Sequence, residues 1–268
     1  MDINKLIQKS SKNKEIELYT TSIHTKVEVE IFNQILNANP EWENVMDALA
    51  TYTAQKWAQN VRNKLDIRVK DDRYMGIYLQ DKTSVETALN VSKEMLNIIE
   101  STIEKLPKKY KEILEEIFIK NSDASKYKVD MYFKKAVERF CEKAYKRIDK
   151  LINKLNTAKS LLEDDVAFVV FDMHRLMDLK KDIKYFSQRE GDIDYNEFYV
   201  LFNETVAELY KYPCKQQVFE TTRMHLDSYS DYEISHRLGK SNSYVRSRYK
   251  LGLKLIGFVF WGYSKNRN

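Results

Sequence analysis

The sequence predicts a mainly α-helical protein: a helical N-terminal region followed by two tandem helix–turn–helix-like modules, the first degenerate. Three observations carry this. Six glycines and three prolines in 268 residues leave too few turn formers for a sandwich or barrel. Lys, Glu, Leu and Ile, which favour helices, are abundant. Apolar residues recur at spacings of three and four along much of the chain. A hydrophobic content of 43% with 32% charged residues fits a chain of this length that builds its own cores.

Residues 1–25 are polar and read as a loose arm. From Val27 to Leu65 the apolar positions Ile31, Ile35, Val45, Leu49, Trp57 and Val61 fall at helical spacing, and Asn39-Pro40 breaks the run where a new helix would start. Residues 66–82, "DIRVKDDRYMGIYLQDK", alternate rather than cycle, which predicts a short hairpin turning at Asp71-Asp72. A long helix should follow, with Ser84 as its N-cap. Trp42, Tyr52 and Trp57 read as core.

Next comes a weak internal repeat. Leu106–Ile148 and Tyr212–Ile256 each show a Pro opening an amphipathic helix, then a Ser-Asp loop, then a basic helix rich in Tyr. The chain therefore divides into an N-terminal helical region (1–95), a degenerate module (96–155), an acidic helical connector (156–205) and a C-terminal module (206–268).

Several function classes lose support. No apolar run approaches the roughly 18 to 20 residues that span a bilayer, and the first residues hold no apolar stretch of a secretory signal, so no membrane partner is expected. Cys141 and Cys214 stand apart without metal-ligand spacing and read as free thiols in a reducing cytoplasm. His24, His174, His225 and His236 are scattered, and no nucleophile elbow, phosphate loop or paired-carboxylate motif occurs. We expect neither an enzyme nor a cofactor. Residues 186–198 imitate the back half of a calcium loop, but Phe186 stands at the first ligand position and offers no oxygen, so Gly191 reads as a turn between helices.

Net charge is +5, and its distribution says more than its sum. No acidic residue occurs from Ile234 to Asn268, while Lys126–Lys154 is a second basic stretch diluted by a few acids. Opposite charges at i,i+4 stabilise a helix surface and like charges cost a few tenths of a kcal/mol, so an acid-free surface points to an anionic ligand.

At the start of that tail, "EISHRLGKSNSYVRSR" (Glu233–Arg248) has the layout of a helix–turn–helix. Ile234 and Val245 are its core positions, Ser235 its small helix contact, Leu238-Gly239 its turn and Ser241 the cap of its second helix, over 242–256. Lys240 stands where many such motifs carry an apolar residue. "EIS..LG.S...VRSR" resembles region four of bacterial sigma factors and the regulators related to it, over about a sixth of the chain. The middle copy is similar to the sigma-like late-gene regulators of phages and mobile elements of low-GC Gram-positive bacteria (the ArpU and RinA type), but it lacks the Leu-Gly turn.

The resemblance implies a transcription regulator of the bacterial cytoplasm, associated with the nucleoid, whose partner is double-stranded DNA. Asn242, Ser243, Tyr244 and Ser247 would contact bases, Arg246 a base or phosphate, and Arg237, Lys240, Arg248 and Lys250 phosphates, with Ser241 at the helix start. The middle module would engage a second DNA segment, RNA polymerase or a homodimer partner, and the apolar Leu255–Tyr263 would pack the module or form a dimer contact. A sigma factor, a plasmid replication initiator and a protein-interaction module such as an antirepressor are the alternatives.

Overall fold

The structure is a computed structural model that describes residues 26–67, 82–120, 130–160, 195–212 and 216–262. Every element in it is helical, and there is no strand among the described residues. The order is α1 (Lys26–Ala38), a 3-10 turn (Pro40–Trp42), α2 (Glu43–Lys64), α3 (Lys82–Glu104), α4 (Lys108–Leu114), α5 (Asp130–Ser160), α6 (Tyr195–Glu208), α7 (Gln216–Leu226), α8 (Asp231–Leu238) and α9 (Asn242–Trp261).

The break at Asn39-Pro40 falls as expected, with Pro40 opening the 3-10 turn. α3 begins at Lys82, so Ser84 lies inside its first turn rather than capping it. The expected hairpin lies outside the described residues except at its ends, where Asp66 and Ile67 follow α2 and Lys82 opens α3. Gly191, the Ser-Asp loop after α4, Pro213 and Cys214 also lie outside them. α9 runs past residue 256 to Trp261 because the apolar sequence continues: Leu255, Ile256, Phe258, Val259 and Phe260 are all buried. No described helix is long and apolar enough to cross a membrane.

The chain groups into two compact units. One comprises Met1–Lys56 and Lys93–Lys154, the other Trp57–Ser92 and Leu155–Asn268. In the first, Phe32, Phe118 and Phe133 stack with ring centroids 6.1 to 6.3 Å apart, bringing together α1, the turn that follows α4, and α5. α4 leaves its core as a π-helical turn, Glu115–Ile119, and the Thr53 hydroxyl donates to the Phe118 carbonyl at 2.7 Å. Tyr52 is buried and donates to Glu100 Oε1 at 2.8 Å, where Lys56 also binds at 2.6 Å. Burial, followed by that hydrogen bond, pushes the Tyr52 phenol far up. Trp42 and Cys141 are buried here too, and desolvation pushes the Cys141 thiol well above its ordinary range.

The second unit packs α6 to α9 with the end of α2 and the start of α3. Trp57 meets the ring of Tyr212 edge-on at 5.6 Å, and Phe202 stacks on Phe260 at 6.5 Å. Arg62 of α2 is buried and donates through Nη1 to the carbonyls of Phe258 and Val259, in the last turn of α9. Its Nη2 donates to Gln59 Oε1 at 2.8 Å. Desolvation pulls the Arg62 guanidinium down to about 10, so it stays charged at neutral pH. The negative end of the α9 dipole thus faces a fixed cation that also satisfies two otherwise open carbonyls.

Candidate nucleic-acid interface

The motif read from Glu233–Arg248 folds as α8, a turn of residues 239–241 and α9, supported by α7. Each local feature has a chemical cause. Ser230 caps α8 through its Oγ, which accepts from the Glu233 amide at 3.3 Å, while Glu233 Oε2 accepts from the Ser230 amide at 2.8 Å. This reciprocal box explains the glutamate that opens the "EIS" of the motif. The amide and hydroxyl of Ser230 both donate to the Glu233 carboxylate and hold it below its usual range.

α8 ends at Gly239 with φ 61° and ψ 35°, the left-handed region that glycine enters without steric cost. The Gly239 amide donates to the His236 carbonyl and the Lys240 amide to the Ser235 carbonyl at 3.0 Å, which closes the helix as a Schellman turn. Ser241 then caps α9, its Oγ accepting from the Tyr244 amide at 3.2 Å. Ile234 and Val245 are fully buried, and Leu238 is half-buried.

α9 crosses α7 at close range. A Cβ on Gly252 would sit 2.0 Å from Thr222 Oγ1 and 3.3 Å from Val218 Cγ1, so only glycine allows this approach. Thr222 Oγ1 itself is buried without a hydrogen-bond partner.

Asn242, Ser243, Arg246, Ser247 and Lys250 are exposed along one face of the first turns of α9. Asn242, Ser243 and Lys250 make no hydrogen bond or ion pair through their side chains within the described residues. Ser247 donates back to the Tyr244 carbonyl at 2.9 Å. Tyr244 is half-buried, and its hydroxyl donates to Gln217 Oε1 of α7, which fixes the ring rather than leaving it loose. Its face meets the Arg248 guanidinium at 4.9 Å and the Lys240 ammonium at 5.8 Å. Lys240 is exposed there, which accounts for a lysine after the turn glycine. Arg237 is exposed with its guanidinium 4.1 Å from the Tyr229 ring centroid.

One acid enters this surface from outside the acid-free tail. Asp231, the first residue of α8, accepts from Arg246 Nε through Oδ2 at 2.5 Å. Its Oδ1 lies 3.2 Å from His225 Nε2, close enough for an ion pair but without hydrogen-bond alignment. His225 stacks on the buried Tyr249 ring, centroids 4.0 Å apart. Burial lowers the His225 pKa, and the Asp231 charge opposes that only in part. Tyr249 is pushed up to about 12 by burial first and Asp231 second.

The structure therefore gathers the predicted residues around one helix start and ranks their freedom. Asn242, Ser243 and Lys250 are open, Arg246 is held by Asp231, and Lys240 and Arg248 both lie over the Tyr244 ring. Sequence reasoning missed Asp231 and Gln217, whose roles come from neighbouring helices. No group of carboxylates, histidines or cysteines able to hold a metal ion occurs among the described residues. Comparison with protein-family models, curated proteins and solved structures returns no match, so the reading of this surface rests on its residues and their geometry.

Proposed function

We propose that this protein is a DNA-binding transcription regulator of the sigma-region-four-like kind. α9 enters the major groove of double-stranded DNA by its N-terminal face. The observation that carries the reading is the combination at the α8–α9 turn. A glycine-closed helix and a serine-capped one present Asn242, Ser243, Arg246, Ser247 and Lys250 on one exposed face, with Lys240 beside them. Short polar side chains at the start of a helix suit base edges, and flanking lysines suit phosphates. The capped N-terminus adds partial positive charge at the same place.

Selection from a random duplex library with the intact chain tests this. A preferred sequence should emerge. Asn242→Ala with Ser243→Ala should flatten the preference at particular positions, each costing about 1–3 kcal/mol of discrimination. Lys240→Gln with Lys250→Gln should weaken binding to all sequences alike and lower the salt slope by about 2. A preferred sequence bound equally well by the Asn242/Ser243 variant would remove α9 as the reading helix. No enrichment at all would remove the major-groove reading.

A further inference from the structure

We infer that the exposed face of α5 is a second nucleic-acid surface, one that grips the phosphodiester backbone of duplex DNA without reading bases. The buried face of α5 packs into the first unit through Phe133, Val137, Phe140, Ala144, Ile148 and Ile152. One flank of its solvent-facing surface exposes Lys135, Lys143, Lys146, Arg147, Lys150 and Lys154. At 1.5 Å per residue these span about 28 Å, the length of roughly eight base pairs.

These cations are arranged against their own stability. Lys143 faces Lys146 and Arg147, both face Lys150, and Lys150 faces Lys154, all at i,i+3 or i,i+4 spacing. Like charges so placed each cost a few tenths of a kcal/mol. The acids of the helix offset this only in part, because they are bound elsewhere or half-buried. Glu142 pairs with Arg139 at 3.0 Å, Asp149 accepts from Asn44 at 2.7 Å and Asn153 at 3.3 Å, and Glu138 is half-buried. None of the six pairs with a carboxylate among the described residues.

The chemistry of the stripe selects among polyanions. A protein partner needs apolar or aromatic anchors, and lysine is depleted in such interfaces. From Lys135 to Lys154 no large apolar side chain is exposed. A membrane surface would require the apolar face of α5, which the core already uses. Single strands are held by aromatic platforms, and the exposed Tyr132 lies before the stripe with the Lys109 ammonium 3.2 Å from its ring centroid. A rigid row of point charges matches a rigid double helix. The choice of DNA over duplex RNA rests on the major-groove reading of α9; the stripe itself does not.

The test compares two triple variants of the intact chain on a mixed-sequence 30-base-pair duplex. Lys143→Gln/Arg147→Gln/Lys150→Gln empties the centre of the stripe. Lys93→Gln/Lys105→Gln/Lys108→Gln removes equal charge elsewhere from exposed positions of the same unit. We expect the stripe variant to lose about 2–3 from the slope of log affinity against log salt, and at least about tenfold in affinity near 0.1 M salt. The control should keep both. The stripe variant should also melt no earlier than wild type, since like-charge pairs are relieved. Its preferred sequence from the library should be unchanged.

Equal slopes for the two variants would overturn the inference, as would tighter binding to polyglutamate than to the duplex. Equal competition by duplex RNA would overturn the assignment to DNA. Loss of slope without any preferred sequence in the wild type would leave the stripe standing and sink the major-groove reading instead.

Discussion

Gly252 makes a sharp claim about the packing of α7 on α9. Replacing it with Ala adds one methyl and, taken alone, favours the helix by about 1 kcal/mol. That methyl would meet Thr222 Oγ1 at 2.0 Å, more than 1 Å inside a normal contact, with Thr222 Cβ at 3.2 Å and Val218 Cγ1 at 3.3 Å. Thr222 is fully buried in α7, where a β-branched side chain has few rotamers to retreat into. Overpacking of this kind costs about 1–3 kcal/mol, so Gly252→Ala should destabilise the module by about 1 kcal/mol net. In a Thr222→Ala background the offending hydroxyl is gone. Since it has no hydrogen-bond partner, its removal leaves no acceptor or donor stranded. There Gly252→Ala should be neutral or stabilising by up to about 1 kcal/mol. The change of sign, a coupling of about 1–2 kcal/mol, is the prediction. Hydrogen exchange of peptides spanning α7 and α9 reads the opening free energy locally, without assuming that the two units unfold together. Effects of the two substitutions that simply add would refute the contact.

Two further substitutions probe the same unit. Arg62→Met keeps the aliphatic stem but strips the donor from the carbonyls of Phe258 and Val259, and should lower the stability of α9 by about 2 kcal/mol in the same exchange measurement. Exchange unchanged in residues 253–261 would mean the cap contributes nothing. Burial holds His225 below its ordinary pKa, so the folded state binds fewer protons than the unfolded one. Stability is full above the unfolded pKa of about 6.5 and declines as pH falls through it; His225→Gln should flatten that decline, as urea midpoints between pH 5 and 7.5 would report.

The helix–turn–helix was legible because each of its positions demands a residue type. Only glycine takes the backbone at 239 freely, a small hydroxyl caps α9 at 241, and Ile234 and Val245 must be apolar. The capping box is equally legible in Ser230-Asp231-Tyr232-Glu233, where a serine stands three residues before a glutamate. Asp231 shows what local patterns cannot carry. The tail is acid-free in sequence, but its Arg246 still has a carboxylate partner, because α8 starts beside the first turns of α9. Likewise nothing around Arg62 in the sequence announces a partner near residue 258. Helical periodicity showed where α2, α3 and α5 run, but not that both compact units draw on them.

The clasp between Arg62 and the end of α9 also sets an order of events during synthesis. Its two halves lie 196 positions apart, and closing so long a loop is slow because chain entropy is lost before the contact forms. A ribosome making about 5–20 residues each second separates them by roughly ten to forty seconds. For that interval the guanidinium must stay hydrated, and the apolar surface around Trp57 and Val61 waits for Tyr212 and α9. Nascent chains halted before residue 258 should therefore be the ones that chaperones hold, and those extended beyond it the ones let go.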